Sequence, residues 1–269
     1  MKKKSRKIGM LVLLIVFVVS TTLLLRQQLD NAGGSDAYRD ALAIASGTGH
    51  KAEETTEATQ PQTTWIPAPI EDDDPNLEKM AEIDLAALRE VNEDVVGWIC
   101  IPDSKINYPL LQGEDNDYYL KHTWDHRSNS VGSIFLEHRN KADLTEFNTI
   151  VYGHNMNNGS MFAGLKRYAA TGYWEEHPYV YVLTDAGVYR YEVFSSYKAN
   201  VDSSTYGLSF NQQETKAEFL VNALENSKID TGIAPELTDR ILTLSTCSGA
   251  GYTTRWVVHA RLRMIEVEA

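Results

Sequence analysis

The sequence predicts a mainly β domain that closes into a barrel, preceded by a helix. Beyond residue 94 the chain is dominated by short apolar and β-branched runs, several of which alternate apolar with polar residues as half-buried strands do. Helical patterns are sparse between these runs, and many short strands with few helices favour a closed barrel. The predicted strands are Val95–Ile101, Lys105–Gln112, Ser133–Leu136, Thr149–Tyr152, Tyr179–Thr184, Val188–Ala199, Ile241–Thr246 and Trp256–Val267.

The first 25 residues predict a membrane anchor. Five basic residues lie within the first seven positions, and an apolar run extends from Ile8 to Leu25. A helix needs ~20 apolar residues to cross a bilayer, and positive charge before the span stays in the cytoplasm. We therefore expect residues 1–7 to be a cytoplasmic tail, residues 8–25 a single transmembrane helix, and the remaining chain extracellular. A cleaved signal peptide is the alternative, although its apolar region usually has only ~7–15 residues.

Residues 26–74 predict a flexible extracellular tether, because Gly, Ser, Thr, Ala, Pro and acidic residues replace apolar periodicity there. The folded domain is expected over residues 75–269. Pro75 suits a helix start, and apolar residues recur at helical spacing from Leu77 onward, which predicts one helix packed on the core. Two further helices are expected around Ser160–Tyr168 and Glu214–Asn226.

The net charge and the cysteine content exclude several classes of partner and of binding site. The formal net charge is −12 with no basic run outside the N-terminus, which argues against nucleic acid as a partner and against a folded domain lying on an anionic membrane. Two cysteines leave no disulfide framework or multi-thiolate metal site, so either they pair once or one is reactive. No C-x-x-C or H-E-x-x-H pattern occurs, and we expect neither a metal nor a cofactor.

Cys247 is the candidate nucleophile. It ends the strand-like run Ile241–Thr246 and precedes a small, loop-forming stretch, Ser248–Tyr252. A side chain at a strand end beside a loop is both held in place and reachable by substrate. Its thiol needs a nearby cation or base, because the unperturbed pKa of cysteine is ~8.5. Cys100 lies inside the apolar run Val95–Ile101, which is typical of an inert core thiol.

His154 and Arg255 are the candidate partners of this thiol. His154 follows the run Asn148–Gly153 at another strand end, where the glycine permits a sharp exit, and histidine is the usual base for a cysteine nucleophile. Arg255 begins the last strand, eight positions after Cys247, so the intervening loop can fold it back beside the thiol. A guanidinium stays charged and suits the oxyanion of a tetrahedral intermediate.

Each assignment has a structural alternative. A histidine at a strand end is often a surface residue, and Arg255 is as readily explained by a surface salt bridge. His259 is a rival base on the same strand face as Arg255, but four residues at ~3.3 Å each place it well along that strand. We expect His259 to belong to the barrel wall.

Several short sequence motifs resemble those of a known protein family and occur in the same order along the chain. Thr243-Leu-Ser-Thr-Cys247 is similar to the T-L-x-T-C signature of sortases, with Arg255 at a compatible distance and His154 far upstream. The other phrases resemble class B sortases, and the resemblance covers residues 77–267. These phrases are Val95-Val-Gly-Trp-Ile99, Tyr108-Pro-Leu-Leu-Gln112, Asp115-Asn-Asp-Tyr-Tyr-Leu120, Asn148-Thr-Ile-Val-Tyr-Gly-His-Asn-Met156 and Gly159-Ser-Met-Phe162.

The resemblance implies an eight-stranded sortase-type barrel with an N-terminal helix and, as in class B members, a helix inserted before the late strands, here Glu214–Asn226. It implies a cysteine transpeptidase of Gram-positive cells, anchored in the membrane. The thiol would attack a carbonyl within the C-terminal sorting signal of a secreted protein. An amine of cell-wall precursor would then resolve the thioacyl enzyme, which anchors the protein to the cell wall.

The resemblance also carries roles to individual residues. It implies that Cys247 is the nucleophile, that His154 exchanges protons with the departing and incoming amines, and that Arg255 holds the oxyanion or positions the signal peptide. Some class B sortases carry an acidic residue just after the cysteine; Ser248–Gly251 has none, which leaves a Cys-His-Arg set. The substrate groove would be lined by Asn116, Leu120, Tyr152, Ser245 and Thr246.

Three alternative functions stay open at this point. An extracellular cysteine hydrolase would share the Cys and His but lack a dedicated amine acceptor. A pilin-polymerising sortase would use a protein lysine as acceptor, and a non-catalytic binding module would tolerate loss of the thiol. Gln60–Thr63 also resembles the core of a class B sorting signal, although composition alone readily produces such a segment.

Overall fold

Eight strands close into a barrel in the computed structural model, which describes residues 2–47, 74–247 and 253–263. The order around the barrel is β1-β2-β3-β4-β7-β8-β6-β5. This confirms the predicted mainly β, closed eight-stranded architecture; residues 264–267 of the last predicted strand lie outside the described ranges. The strands are β1 (Val95–Cys100), β2 (Asn107–Leu111), β3 (Ile134–Leu136), β4 (Asn148–Tyr152), β5 (Tyr179–Thr184), β6 (Gly187–Asn200), β7 (Ile241–Cys247) and β8 (Thr254–Leu262).

Strand pairing brings the ends of three strands to one rim of the barrel. The β4 and β7 strands are parallel, with Tyr152 opposite Ser245, so both run toward the same rim. The β7 and β8 strands are antiparallel, with Cys247 opposite Arg255. A residue that ends β4 or β7, or begins β8, therefore lies at this rim.

An apolar core holds the strands in this arrangement. Five of its residues, each from a different strand, are 0% exposed: Ile99, Ile134, Val151, Leu244 and Val258. Burying a side chain of this size stabilises the fold by ~1.5–3 kcal/mol relative to leaving it exposed. The positions of the strand ends are thus fixed by packing within the barrel.

Helix α1 spans Lys2–Ala45 and, within the described part of the chain, is the one helix long and apolar enough to cross a membrane. Residues 26–45 do not form the predicted tether, and residues 48–73 lie outside the described ranges. Ala37 and Ala41 are buried, and a Cβ atom on Gly34 would lie only 2.6 Å from Cγ2 of Val131. Glycine lowers helix propensity locally, but here the small residues let the helix approach the barrel, and that packing stabilises it.

Two short helices replace the single helix expected after Pro75. They are α2 (Pro75–Ala81) and α3 (Leu85–Arg89). The break arises because Asp84 adopts an extended conformation and its carboxylate accepts a hydrogen bond from the backbone N–H of Ala87, at 2.9 Å. An N-cap of this kind starts a new helix and so ends the continuous one that apolar spacing predicts.

The other helices lie between the later strands. The segment predicted around Ser160–Tyr168 forms a 3₁₀ helix, Phe162–Ala169, and a short helix α4 (Thr171–Glu176) follows it without having been predicted. Helix α5 (Gln213–Glu225) is the inserted helix expected before the late strands, and its Phe219 and Ala223 are buried.

Asp74 joins helix α2 to the barrel and yields a prediction about stability. Its carboxylate accepts hydrogen bonds from Tyr181 at 2.7 Å and from Arg190 at 3.1 Å, and it caps α2 through the N–H of Asn76 at 3.0 Å. Burial alone would raise the pKa of Asp74, but these hydrogen bonds outweigh it and hold the pKa below its usual value. Because the folded-state pKa is depressed, the stabilisation is present at neutral pH and is lost as pH falls through that pKa.

We expect Asp74→Ala to lower the free energy of unfolding by ~2–3 kcal/mol at pH 7, since it removes a cap and a partner of a buried guanidinium. Urea unfolding monitored by circular dichroism measures this difference. The deficit should shrink as pH falls below ~3.9, the pKa of an unfolded aspartate, because the unfolded chain then takes up a proton that the folded carboxylate does not. Glu82→Ala, which alters an exposed acid at the end of the same helix, is the matched control; an equal loss in both variants would contradict the assignment.

Candidate active site

Cys247, His154 and Arg255 meet at the rim formed by β4, β7 and β8. Cys247 is the last residue of β7 and pairs directly with Arg255 of the neighbouring strand β8. His154 lies two residues beyond the end of β4, whose neighbour in the sheet is β7. The structure therefore brings together three residues that the sequence separates by up to 101 positions.

The thiol and the imidazole influence one another directly. A hydrogen bond from His154, together with the positive charge of Arg255, lowers the pKa of the Cys247 thiol, although partial burial opposes this. The same hydrogen bond raises the pKa of His154, to which the Leu120 carbonyl contributes, while burial works against it. Lowering the one pKa and raising the other favours a thiolate beside an imidazolium.

The orientation of the imidazole follows from its second hydrogen bond. Nε2 of His154 lies 2.8 Å from the carbonyl oxygen of Leu120. A carbonyl oxygen can only accept, so Nε2 carries a proton and Nδ1 is the nitrogen left to face the thiol. Leu120 thus contributes its backbone to the site as well as its side chain.

Two glycines make room for this arrangement. A Cβ atom on Gly132, whose φ is +61°, would lie 2.9 Å from Cδ2 of His154 and 2.7 Å from the carbonyl oxygen of Tyr119. A Cβ atom on Gly153 would lie 2.4 Å from Cδ1 of Ile134. Gly153 is not among the glycines with positive φ, so close packing beneath His154, rather than the sharp exit expected from the sequence, requires glycine there.

A cavity of about 250 Å³ opens at this rim. The five residues expected to line a substrate groove all contribute to its wall, beside the Cys-His-Arg set. Thr246 is notable because its buried hydroxyl has no hydrogen-bond partner among the described residues, and a buried hydroxyl of this kind is costly unless something binds it. The lining residues are Asn116, Leu120, Phe135, Tyr152, Gly153, His154, Ser245, Thr246, Cys247 and Arg255.

Cys100 and His259, the other candidate nucleophile and base, do not belong to this site. A second cavity, of about 240 Å³, lies between α1, α2 and β1 and includes Cys100, but no histidine within residues 2–47, 74–247 and 253–263 lines it. Burial, with a contribution from the charge of Asp103, raises the pKa of Cys100 to about 11, so this thiol stays protonated at neutral pH. His259 is 0% exposed, burial lowers its pKa to about 3, and its Nδ1 lies 2.9 Å from the hydroxyl of Thr243. It is a neutral residue of the barrel wall, as expected.

Sequence reasoning missed Glu137, a buried acid beneath the cavity. Its carboxylate is 1% exposed and accepts hydrogen bonds from Asn116 at 2.7 Å, Tyr152 at 3.0 Å and Arg139 at 2.7 Å. Burial would raise the pKa of Glu137, but these hydrogen bonds hold it below its usual value. An acid directly after the apolar run Ile134–Leu136 was the available signal. Its carboxylate fixes two residues of the cavity wall.

Sequence reasoning also missed Tyr206, a tyrosine that contacts the cavity wall. Its hydroxyl lies 2.9 Å from Oγ of Ser245 and so braces a second part of the cavity wall. Burial raises the pKa of Tyr206 to about 12, which keeps the phenol protonated and able to donate this hydrogen bond. The tyrosine belongs to a 3₁₀ helix, Ser204–Tyr206, in the long connection from β6 to β7, where the sequence offers no pattern that identifies it.

Comparisons with known proteins find matches over the barrel domain. A family model described as a sortase domain matches residues 99–263. Sortase B of Listeria monocytogenes is 37% identical over 164 residues, which are 61% of this chain and 67% of that protein. Sortase B of Staphylococcus aureus is 34% identical over 173 residues, 64% of this chain and 71% of that one.

Solved structures of sortase B share the fold. Sortase B from Bacillus anthracis in complex with AAEK1 superposes with a TM-score of 0.69 at 30% identity, covering 88% of this chain and 100% of that one. A Staphylococcus aureus sortase B–substrate complex superposes with a TM-score of 0.64 at 31% identity, covering 70% of this chain and 87% of that one.

The hydrogen bond between His154 and Cys247 predicts the reactivity of the thiol. Because that bond lowers the thiol pKa, His154→Asn should raise it and reduce the thiolate fraction at pH 7, by about tenfold for each pKa unit regained. Iodoacetamide alkylation of Cys247, followed by peptide mass spectrometry across pH 5–10, measures the midpoint. Cys100 in the same molecule is the internal reference, since its alkylation should remain slow below about pH 10. An unchanged Cys247 midpoint would contradict the hydrogen-bonded pair.

Proposed function

This chain belongs to the sortase family of cysteine transpeptidases, and from that membership we propose that it cleaves the C-terminal sorting signal of secreted proteins and transfers them to an amine of cell-wall precursor. The observation that carries the proposal is that Cys247, His154 and Arg255 line one 250 Å³ cavity, with Arg255 opposite Cys247 in the strand register and the pKa of the thiol lowered by His154. A lowered thiol pKa beside a raised imidazole pKa is what a nucleophile and its proton partner require.

In the first half of the reaction the Cys247 thiolate attacks a backbone carbonyl carbon of the sorting signal. The carbonyl oxygen gains negative charge, and the fixed positive charge of Arg255 stabilises this oxyanion. His154, protonated on Nδ1, gives that proton to the departing amine as the C–N bond breaks. The product is a thioester between Cys247 and the acyl part of the substrate.

The second half reverses these roles. A primary amine of the cell-wall precursor attacks the thioester carbonyl, and neutral His154 accepts the proton that the amine loses. The thiolate leaves as the new amide forms, so the Cys247–His154 pair returns to its starting state. A solved complex of sortase B with triglycine supports an amine-bearing peptide as the acceptor.

The cavity wall supports recognition of an extended peptide. We propose that Asn116 and Tyr152, held by Glu137, bind one side of the sorting signal, and that Leu120 supplies an apolar contact. Ser245 and Thr246 bind the other side, where the buried Thr246 hydroxyl is available to form a hydrogen bond with the peptide backbone.

The N-terminal helix supports attachment to a membrane. Helix α1 contains the apolar run that ends at Leu25, with five basic residues before it. We propose a single-pass anchor with the catalytic domain outside the cell, where sorting signals and cell-wall amines are found.

Intact-mass spectrometry of the full-length enzyme in detergent tests the proposed reaction. We expect an adduct on Cys247 with one member of a panel of sorting-signal peptides, released as a new amide when triglycine is added. Cys247→Ala should form no adduct. Release only as the hydrolysed acid would favour a cysteine hydrolase, transfer only to a lysine-bearing protein would favour pilin polymerisation, and no adduct with any peptide would favour a binding module.

Glu137 yields a separate prediction about substrate binding. Glu137→Gln weakens the charge-assisted hydrogen bonds that fix Asn116 and Tyr152, so we expect KM for the sorting peptide to rise about tenfold, equivalent to ~1.4 kcal/mol. The kcat value should change little because Cys247 and its partners are untouched. Since the pKa of Glu137 is depressed, the effect should be constant between pH 6 and 9.

Steady-state kinetics with the preferred peptide measure both parameters. Glu114→Gln, an exposed acid in the same part of the chain, is the matched control and should leave KM unchanged. A fall in kcat with constant KM would show that Glu137 acts on the catalytic residues instead.

A further inference from the structure

Helix α1 is fixed against the segment that covers His154. The indole N–H of Trp124 donates to the carbonyl of Ala37 at 2.8 Å, and the Asn129 side chain donates to the carbonyl of Asp30 at 2.9 Å. Ala37 and Ala41 of the helix are 0% exposed. These two hydrogen bonds therefore fix the part of the helix from Asp30 to Ala37, about two turns, against residues 119–133.

The same segment holds the imidazole of His154 on two sides. The Leu120 carbonyl accepts the Nε2–H hydrogen bond at 2.8 Å. The Cα of Gly132 lies so close to the ring that an added Cβ would be 2.9 Å from Cδ2. The two sides are joined, because the N–H of Ser133 donates to the carbonyl of Tyr119 at 2.8 Å. A shift of this segment would therefore move the ring.

Tyr38 is the helix residue that reaches this segment with a hydroxyl group. Its hydroxyl donates to the carbonyl of Gly132 at 2.5 Å, with Oγ of Ser133 3.1 Å away. Its ring meets the ring of Tyr108 edge-on, with centroids 5.1 Å apart. Tyr38 thus touches the backbone residue that lies against the imidazole.

A second series of contacts, which starts at the ring of Tyr108, connects Tyr38 to the backbone of His154. The hydroxyl of Tyr108 accepts a hydrogen bond from the N–H of Met161 at 3.0 Å. The next N–H, of Phe162, donates to the carbonyl of His154 at 2.9 Å. The ring and the backbone of the histidine are therefore both linked to this tyrosine.

We infer that Tyr38 is a positioning residue for His154, through which helix α1 holds the imidazole in line with the Cys247 thiol. The inference rests on the proposed role of His154 as the proton partner. Its physical basis is that hydrogen bonds weaken steeply with misalignment, and that a misplacement of ~1 Å can cost a catalytic step up to ~100-fold.

Tyr38→Phe tests the inference in the full-length enzyme in detergent, because it removes the hydroxyl and keeps the ring contact with Tyr108. We expect kcat for transfer of the sorting peptide to triglycine to fall five- to twentyfold, with KM within twofold of wild type. The pH midpoint for alkylation of Cys247 by iodoacetamide should rise, since a misaligned imidazole stabilises the thiolate less. A purely structural role would not move that midpoint.

Tyr181→Phe is the matched control. It too removes a buried tyrosine hydroxyl that ties an N-terminal helix to the barrel, through Asp74 at 2.7 Å, but Tyr181 lines the other cavity, away from His154. This variant should lose stability while keeping the wild-type kcat and the wild-type alkylation midpoint.

The outcomes separate the inference from the function on which it rests. Wild-type kcat and midpoint in Tyr38→Phe would overturn the inference, as would equal losses in the Tyr38 and Tyr181 variants. A wild-type enzyme that forms no acyl adduct would instead overturn the proposed function. Alkylation would still report on Tyr38 in that case, because it needs no sorting peptide.

Discussion

The parallel pairing of β4 with β7 is the constraint on which the candidate site depends. It places Tyr152 opposite Ser245, so the ends of both strands lie at one rim, and the register of β7 with β8 then puts Arg255 beside Cys247. A shift of one residue would turn the side chains of a strand to its other face. The buried core prevents such a shift, since it would expose Val151 or Leu244, both 0% exposed.

Around this rim, buried groups hold the reactive ones in place. The Leu120 carbonyl fixes the tautomer of His154, Glu137 fixes two residues of one cavity wall, and Tyr206 fixes Ser245 in the other. Preorganisation of this kind lowers the cost of reaching the transition state because the groups need not reorient during the reaction. Glu137 and Tyr206 contribute although neither takes part in bond making.

Helix α1 links this preorganised site to the proposed membrane anchor. Asp30, whose carbonyl is hydrogen-bonded to Asn129, lies five positions after Leu25, or ~8 Å along the helix. In the proposed topology the catalytic domain is therefore held close to the membrane surface.

The sequence by itself determined the strands and the inserted helix, because apolar patterns are local, and its resemblance to the sortase family singled out Cys247, His154 and Arg255. Only the tertiary structure decided the fold of residues 26–45 and the contacts that support the three residues of the site. Residues 26–45 show little apolar periodicity, and the helix there is stabilised by the packing of Ala37 and Ala41 on the barrel. The hydrogen bonds of Glu137 to Asn116 and Tyr152 join residues 21 and 15 positions apart, and Gly132 meets His154 across 22 positions. Such contacts are set by strand register and packing, which no local pattern specifies.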